Sequence, residues 1–374
     1  MPAAFPADAR LYLRPVQFVD TPVGRDGEVA RLAGQALWFA GWEVVAAAAA
    51  GRRLATRTVP VAAFAAFAAA LPDAQAERLT LLAARVTADR PAWQLGERAL
   101  RWNEPRIAGI LNMTPDSFSD GGRHLDDLEG SAAAGFAMGS AGAALIDVGG
   151  ESTRPGAPEV WEGDEVKRVV PVIERLAKGG ALVSVDTRKA TVMEAALAAG
   201  ARVVNDVAAL LWDERALEVV ARAGCPVVLM HSPDPRKGPH GGTGHADALV
   251  EVFDWLEARV AAVEAAGVPR ALIAVDPGIG FGKKVADSLA LVNGLAMFHA
   301  LGCPVMLGAS RKRIIGALSG EAAVGERLGG SVALALKGAS LGAQLLRVHD
   351  VAETAQALRI WRGLADAATL PPGL

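Results

Sequence analysis

The sequence predicts an α/β fold: a (β/α)8 TIM barrel carrying a small N-terminal α+β extension. Three observations lead there. From residue 106 onward, eight short aliphatic runs alternate with alanine-rich stretches of helical periodicity. The runs are almost continuously apolar, as strands covered on both faces must be. Each run also ends in a polar or charged residue. An open doubly wound sheet accounts for the first two observations equally well and stands as the alternative.

The elements follow in order. Residues 1–92 do not share the later rhythm, and they read as a separate extension of unassigned role. Within it "LYLRPVQF", "FAGWEVVAAAA" and "RLATRTVPV" are expected as strands, the last two separated by Gly51-Arg52. "AAFAAFAAAL" and "AQAERLTLLAARV" are expected as helices, with Phe64, Phe67 and Leu71 forming a helical stripe that suits packing on a core. The barrel region, 93–374, opens with a short hairpin, "WQLGERALRW". Its strands are then "RIAGILN" (106–112), "AALIDVGG" (143–150), "LVSVDT" (182–187), "RVVNDV" (202–207), "PVVLMH" (226–231), "ALIAVDPG" (271–278), "PVMLGAS" (304–310) and "AQLLRVHD" (343–350). Intervening stretches such as "RKATVMEAALAAG" have apolar residues at helical spacing and a glycine stop.

Composition narrows the function classes. With 374 residues, 52% hydrophobic and 21% charged, the chain has the make-up of a well-buried globular enzyme. A formal net charge of -3 supplies no long-range field for nucleic acid or an anionic membrane, so any anion site must be local. Cys225 and Cys303 each precede a proline at the entrance of an apolar run and lack metal-ligand or CxxC spacing, which suits structural thiols in a reducing cytoplasm. The start has no basic segment followed by an apolar core, and the longest apolar stretch, "VPVAAFAAFAAALP", is internal and too short to span a bilayer. A soluble, unprocessed protein is expected.

The strand ends carry the functional expectation. They are Asn112, Asp147, Asp186, Asn205 with Asp206, His231, Asp276, Ser310, and Arg347 with His349 and Asp350. In a barrel all eight C-terminal ends meet on one face, where active sites lie. Any single one of these residues also suits a plain helix cap. "GASRKRIIGAL" places Ser310 and Arg311 at a strand-to-helix junction with Lys312 and Arg313 in the next turn, and the neighbouring strand end adds Arg347 and His349. That is an anion site in the position where this barrel type holds phosphate. Arg154, in "GGESTRPG", adds a second basic loop. Asp186, Asn205 and Asp276 offer acceptors and a donor to a flat heterocycle rich in N–H groups. "DPGIGFGK" brings Phe281 and Lys283 to the rim but fits neither a dinucleotide fingerprint nor a P-loop. "HSPDPRKGPHGGTGH" holds His240 and His245 without a ligand-spaced partner, which reads as a loop, not a metal site.

"GILNMTPDSFSDGG", "IDVGGESTRPG", "SVDTRK", "VVNDV", "DPGIGFGK", "GASRK" and "RVHD" occur in the order seen in the dihydropteroate synthases, and the resemblance covers residues 93–362. It implies a Mg²⁺-assisted condensation of 6-hydroxymethyl-7,8-dihydropterin pyrophosphate with 4-aminobenzoate by a cytoplasmic homodimer. Asp186, Asn205, Asp276 and Lys312 match the residues that hold the pterin, with Met230 and Gly308 lining its pocket and Arg347 stacked on its face. Asp186, Asp276, Lys312 and Arg347 are thereby the expected catalytic set. Asn112 matches the residue at the metal and pyrophosphate, while Arg154, Ser310, Arg347 and His349 match the anion site. Phe118, Thr153, Pro155, Phe281 and Lys312 resemble the aminobenzoate and sulfonamide contacts. "NMTPDSFSDGG" resembles a lid over the leaving group. The small differences are Met113 and the loop after the fifth strand; the large one is the N-terminal extension. A pterin-binding methyltransferase domain and an inactive pterin-binding paralogue are the competing readings.

Overall fold

The computed structural model describes residues 5–48, 51–114, 128–154, 156–237 and 245–369. Eight parallel strands form one sheet: β7 (Arg106–Asn112), β8 (Leu145–Gly149), β9 (Val183–Asp186), β10 (Val203–Asp206), β11 (Val227–Met230), β12 (Ile273–Asp276), β13 (Met306–Leu307) and β14 (Leu345–Val348). They lie in the order β12-β11-β10-β9-β8-β7-β14-β13, and a bridge from Val275 to Val305 joins the two ends. The sheet is therefore a barrel, and the doubly wound alternative falls. Helices α3 (Leu128–Ala141), α4 (Glu162–Lys178), α5 (Ala190–Ala198), α6 (Ala216–Ala223), α7 (Ala248–Ala265), α8 (Val285–Asn293), α9 (Arg313–Leu318), α10 (Leu328–Ser340) and α11 (Val351–Ala367) follow the strands. Helix cover on the outer face and side-chain filling inside explain why the strand sequences barely alternate.

The bottom of the barrel is plugged. Strands β5 (Trp93–Leu95) and β6 (Arg98–Leu100) pair as the expected hairpin. Trp93, Leu95, Leu100 and Trp102 pack under Ala108, Leu145, Val203, Val228 and Ala274 in one buried cluster. The two indoles meet edge to face at 4.9 Å, and their N–H groups donate to Ala271 O and Pro91 O at 2.9 and 3.0 Å. Both polar atoms are thus satisfied in an apolar setting.

The seam between β12 and β13 is the weakest joint, because β13 has only two residues. Gln344, fully buried, supports it by accepting from Val305 N at 2.8 Å. A 3-10 segment, Leu295–Leu301, lies outside this seam, and all seven of its residues are buried. The extension covers it. Strands β1 (Arg10–Val19), β2 (Ala30–Arg31), β3 (Trp38–Ala47) and β4 (Arg53–Pro60) make an antiparallel sheet. Helix α1 (Phe64–Ala69) and the longer α2 (Asp73–Thr87) complete it, and β1 and α2 lie on the 3-10 segment.

Polar contacts fix the register of this wall. Tyr12 donates to Asp254 at 2.7 Å, Arg10 and Arg78 reach Glu257, and Gln35 and Arg90 donate to Gly342 O and His299 O at 2.9 Å each. Half-exposed ion pairs contribute only about 0–1 kcal/mol each. The apolar cover by Leu11, Leu13, Leu32, Leu79 and Leu82, all fully buried, carries more of the binding. Removing residues 1–92 strips the cover from Leu295–Leu301. The shortened chain is expected to lose at least about 10 °C in melting temperature or to be recovered insoluble, by calorimetry or by solubility after expression. A melting point within a few degrees of the full chain's would show the wall to be dispensable.

Candidate active site

At the upper rim the strand ends converge. Arg347, from β14, reaches past β7 to place Nε on Asp147 Oδ2 of β8 and Nη2 on Asp186 Oδ2 of β9, each at 2.5 Å. Asp147 is the hub. It also accepts from Asn205 Nδ2 at 3.0 Å and from the Ser184 hydroxyl. Across the mouth, Gly308 separates the two halves of the site: a Cβ built there would stand 3.4 Å from Asp276 Oδ2 and 3.8 Å from Arg347 Cβ. Beside Asp276, Lys312 donates to Ile279 O and holds its ammonium 4.2 Å from the centroid of the Phe281 ring. Phe281, Met230 and Val207 form a small buried apolar cluster. The mouth thus gathers acids, an amide and two cations beside a small apolar patch.

Charge and burial oppose each other here. Three carboxylates (Asp147, Asp186, Asp276) face two cations (Arg347, Lys312). Burial pushes the Asp186 carboxyl up to about 7 against the pull of Arg347, and Asp147 adds to the rise. Burial likewise raises Asp276, with Lys312 and the Gly278 N–H pulling the other way. Burial lowers Lys312 to about 8, although Asp276 and Asp186 favour its charge. Asp276 Oδ1 accepts from Gly278 N at 2.7 Å, which fixes its rotamer. Gly278 has φ +67°, and a Cβ there would sit 2.0 Å from His231 O, so this turn admits only glycine.

A second polar group lies beside Arg347. Ser310 Oγ and His349 Nδ1 are 3.0 Å apart, and His349 N donates to the same hydroxyl at 3.2 Å. Burial, then Arg347 and Arg311, depress the His349 imidazole to about 4, so it is neutral at pH 7. Arg154 is exposed on the rim and close enough to add to that depression. Asn112 ends β7, half-buried, opposite Gly149.

The structure therefore gathers Asp186, Asn205, Met230, Asp276, Gly308, Phe281, Lys312 and Arg347 at one mouth, with Asn112, Thr153, Arg154, Ser310 and His349 on its rim. Several expectations need correction. Ser310 does not start a helix: α9 begins at Arg313, and the Ser310 hydroxyl is turned to His349. Arg311 is taken by Asp350, with Nε 3.1 Å from Oδ2. Lys283 is held by three carbonyls, of His231, Gly278 and Phe281, at 2.9–3.2 Å, so it braces the glycine loop. Asp206 follows the bland reading: its carboxylate accepts from Ala208 N and Leu210 N at 2.7 Å and shapes its own turn. Phe118, Pro155 and His240, with residues 115–122 of the expected lid, lie outside the described residues. Asp147 was visible as a strand end but not as a hub, since nothing local shows that Arg347 and Asn205 choose it.

The pterin-binding enzyme family matches residues 108–349. The dihydropteroate synthase of Neisseria meningitidis serogroup B is 43% identical over 280 residues, covering 74% of this chain and 98% of that protein. The Xanthomonas albilineans dihydropteroate synthase structure with 4-aminobenzoic acid is 46% identical with a TM-score of 0.70, covering 75% of this chain and all of that one. The same enzyme in complex with 7,8-dihydropteroate gives 44% identity, a TM-score of 0.67 and the same coverage. Each match leaves about a quarter of this chain uncovered.

The hub makes a stability prediction. Asp147→Ala leaves Arg347 one buried partner and strands Asn205 and Ser184, so a loss of about 3 kcal/mol is expected in denaturant unfolding. A loss under about 1 kcal/mol would mean that water replaces the carboxylate without penalty.

Proposed function

The chain belongs to the pterin-binding enzymes, and among them to the dihydropteroate synthases; from that premise we propose how its barrel mouth works. The enzyme condenses 6-hydroxymethyl-7,8-dihydropterin pyrophosphate with 4-aminobenzoate, giving 7,8-dihydropteroate and pyrophosphate. The observation that carries the reading is the Arg347 guanidinium braced between Asp147 and Asp186, with Asp276 facing it across Gly308 and Lys312 close enough to feel both. Asp186, Asn205 and Asp276 receive the ring's N–H and amino groups, Lys312 donates to a ring acceptor, and Met230 and Gly308 leave the thickness of a flat ring. Arg347 lies against the pterin face and, with Ser310, His349, Arg154 and Asn112, turns positive or donating groups toward the leaving pyrophosphate. Phe281, Thr153 and the aliphatic stem of Lys312 border the aminobenzoate, as Phe118 and Pro155 are proposed to do.

The proposed chemistry is a dissociative substitution. The methylene C–O bond breaks, its electron pair leaves with pyrophosphate, and the pterin methylene becomes cationic. Asp186 and Asp276 stabilise that charge because, with Asp147, the buried carboxylates of the mouth outnumber Arg347 and Lys312 by three to two. The arylamine nitrogen then donates its lone pair to the methylene carbon, and its surplus proton passes to solvent or pyrophosphate. No strong base is needed. Mg²⁺ is part of the proposal: Asn112 offers one hard, neutral oxygen, and no group of three His, Cys, Asp or Glu among the described residues forms a cage. That donor set suits an ion held largely by water and substrate oxygens. When bound there, it would supply Lewis-acid stabilisation to the departing pyrophosphate.

A homodimer working in the cytoplasm completes the proposal. Cys225 and Cys303, both buried and unpaired, are in keeping with a reducing compartment, and no described helix is long and apolar enough to cross a membrane.

Formation of 7,8-dihydropteroate from both substrates is the direct test; no dihydropteroate from the folded enzyme supplied with both would sink the synthase reading. Asp186→Asn is expected to lower kcat by about 100-fold or more while changing the aminobenzoate KM only a few-fold, and near-normal turnover would remove Asp186 from the chemistry. The pH profile has a defined sign. kcat/KM for the pterin pyrophosphate should fall as pH drops through about 7, where Asp186 protonates, and fall again above about 8, where Lys312 loses its proton. Lys312→Arg should displace the alkaline limb upward. A profile flat across that range would mean that neither group titrates in the free enzyme.

A further inference from the structure

We propose that Glu151, bonded to Val160, Arg188 and Lys189, is the positioning residue that sets the loop carrying Thr153 and Arg154. The proposal rests on the synthase reading, in which this loop borders the aminobenzoate. The loop leaves β8 at Gly149 and enters α4 at Glu162. Its two ends are tied to each other and to the next loop by one buried charge cluster. The Glu151 carboxylate accepts from Val160 N at 3.0 Å, from Arg188 Nε and Nη2 at 3.0 and 3.2 Å, and from Lys189 Nζ at 3.1 Å. Lys189 Nζ also donates to Val160 O at 2.5 Å and to Glu165 Oε2 at 2.7 Å. Both backbone polar groups of Val160, the exit of the loop, are therefore held by side chains of this cluster. The Glu151, Lys189 and Glu165 side chains are 6%, 5% and 0% exposed.

Two further features point to positioning and not to filling of a core. Arg188 lies 3.6 Å from the centroid of the Trp212 ring, so the cluster joins the loops after β8, β9 and β10, the strands that carry Asp147, Asp186 and Asn205. The loop exit lies at the surface: an open groove of about 470 Å³ borders Val160, Lys189 and Trp212, and Trp161 is 67% exposed. Charge holds it there. Burial pushes the Glu151 carboxyl up, but Arg188, the Val160 N–H and Lys189 outweigh it and hold it below the ordinary glutamate value, so it is ionised at neutral pH.

The consequence is asymmetric. Asp186 is fixed by the β9 ladder and by Arg347, neither of which needs Glu151. Thr153 and Arg154 depend on the two ends of their loop. Glu151→Gln keeps the size and removes the charge; it should raise the aminobenzoate KM about tenfold or more while binding of the pterin without its diphosphate, 6-hydroxymethyl-7,8-dihydropterin, measured by calorimetry, stays within about twofold. Glu151→Asp, which restores the charge one methylene short, should recover part of the difference. A purely structural role would weaken the diphosphate-free pterin as well, and that result, or an unchanged aminobenzoate KM, overturns the proposal. Should Glu151→Gln be recovered unfolded, Trp212→Leu takes its place: it unseats Arg188 only, and the same one-sided rise in aminobenzoate KM supports the proposal while its absence overturns it. Wild-type turnover in the same assay separates the two levels. No condensation by the wild type sinks the synthase reading and this inference with it; condensation with unshifted variants sinks the inference alone.

Discussion

A guanidinium that is largely withdrawn from water must be paired, and the geometry of this barrel mouth follows from how Arg347 meets that requirement. Taking such a cation out of water costs several kcal/mol unless carboxylates with good geometry surround it. Asp147 and Asp186 supply them from two strands, neither of which is Arg347's direct neighbour in the sheet, so one side chain fixes the relative positions of β8, β9 and β14. Asn205 and Ser184 then orient by bonding to Asp147. Each group acquires its place from the previous one.

A mouth built this way stores no surplus stability, and the apolar parts of the molecule have to offset it. The tryptophan hairpin below and the N-terminal wall outside do so. They act at the two places where the barrel would otherwise be thin: its floor, and the seam beside the two-residue β13. Neither contributes a side chain to the mouth. Fold stability and site chemistry are thereby assigned to opposite ends and to different stretches of chain, which is the division expected of a barrel whose polar strand ends gather on one face.

That division also decides what could be read from the sequence. The strands were legible because burial on both faces leaves an unbroken aliphatic run, and the convergence of their ends followed from closure. The pairing of those ends was not. Asp147 and Asp206 look alike as strand-end carboxylates, yet one is the hub of the mouth and the other bonds its own turn, because partners 58 and 200 residues away claim Asp147. Lys283 looked available beside its glycines; the path of that turn brings three carbonyls to its ammonium. The pairing of Glu151 with Arg188 and Lys189 has no local sign, since the partners lie 37 and 38 residues away and no local pattern betrays burial.

The excess of carboxylate over cation ties the resting site to its chemistry. Burial, with Asp147 adding to it and Arg347 opposing it, holds Asp186 near neutrality's edge, at about 7. Each unit by which a ligand lowers that value is about 1.4 kcal/mol of differential interaction with the ionised form. In the proposed chemistry, ring N–H groups lower it on binding, and positive charge growing on a neighbouring methylene lowers it further. By linkage, the ionised Asp186 stabilises that charge by the same amount. In the proposed chemistry, the burial and neighbouring carboxylate that raise Asp186 are thus the features that let it favour a cationic transition state, and one more basic residue beside it would relieve the first effect only by weakening the second.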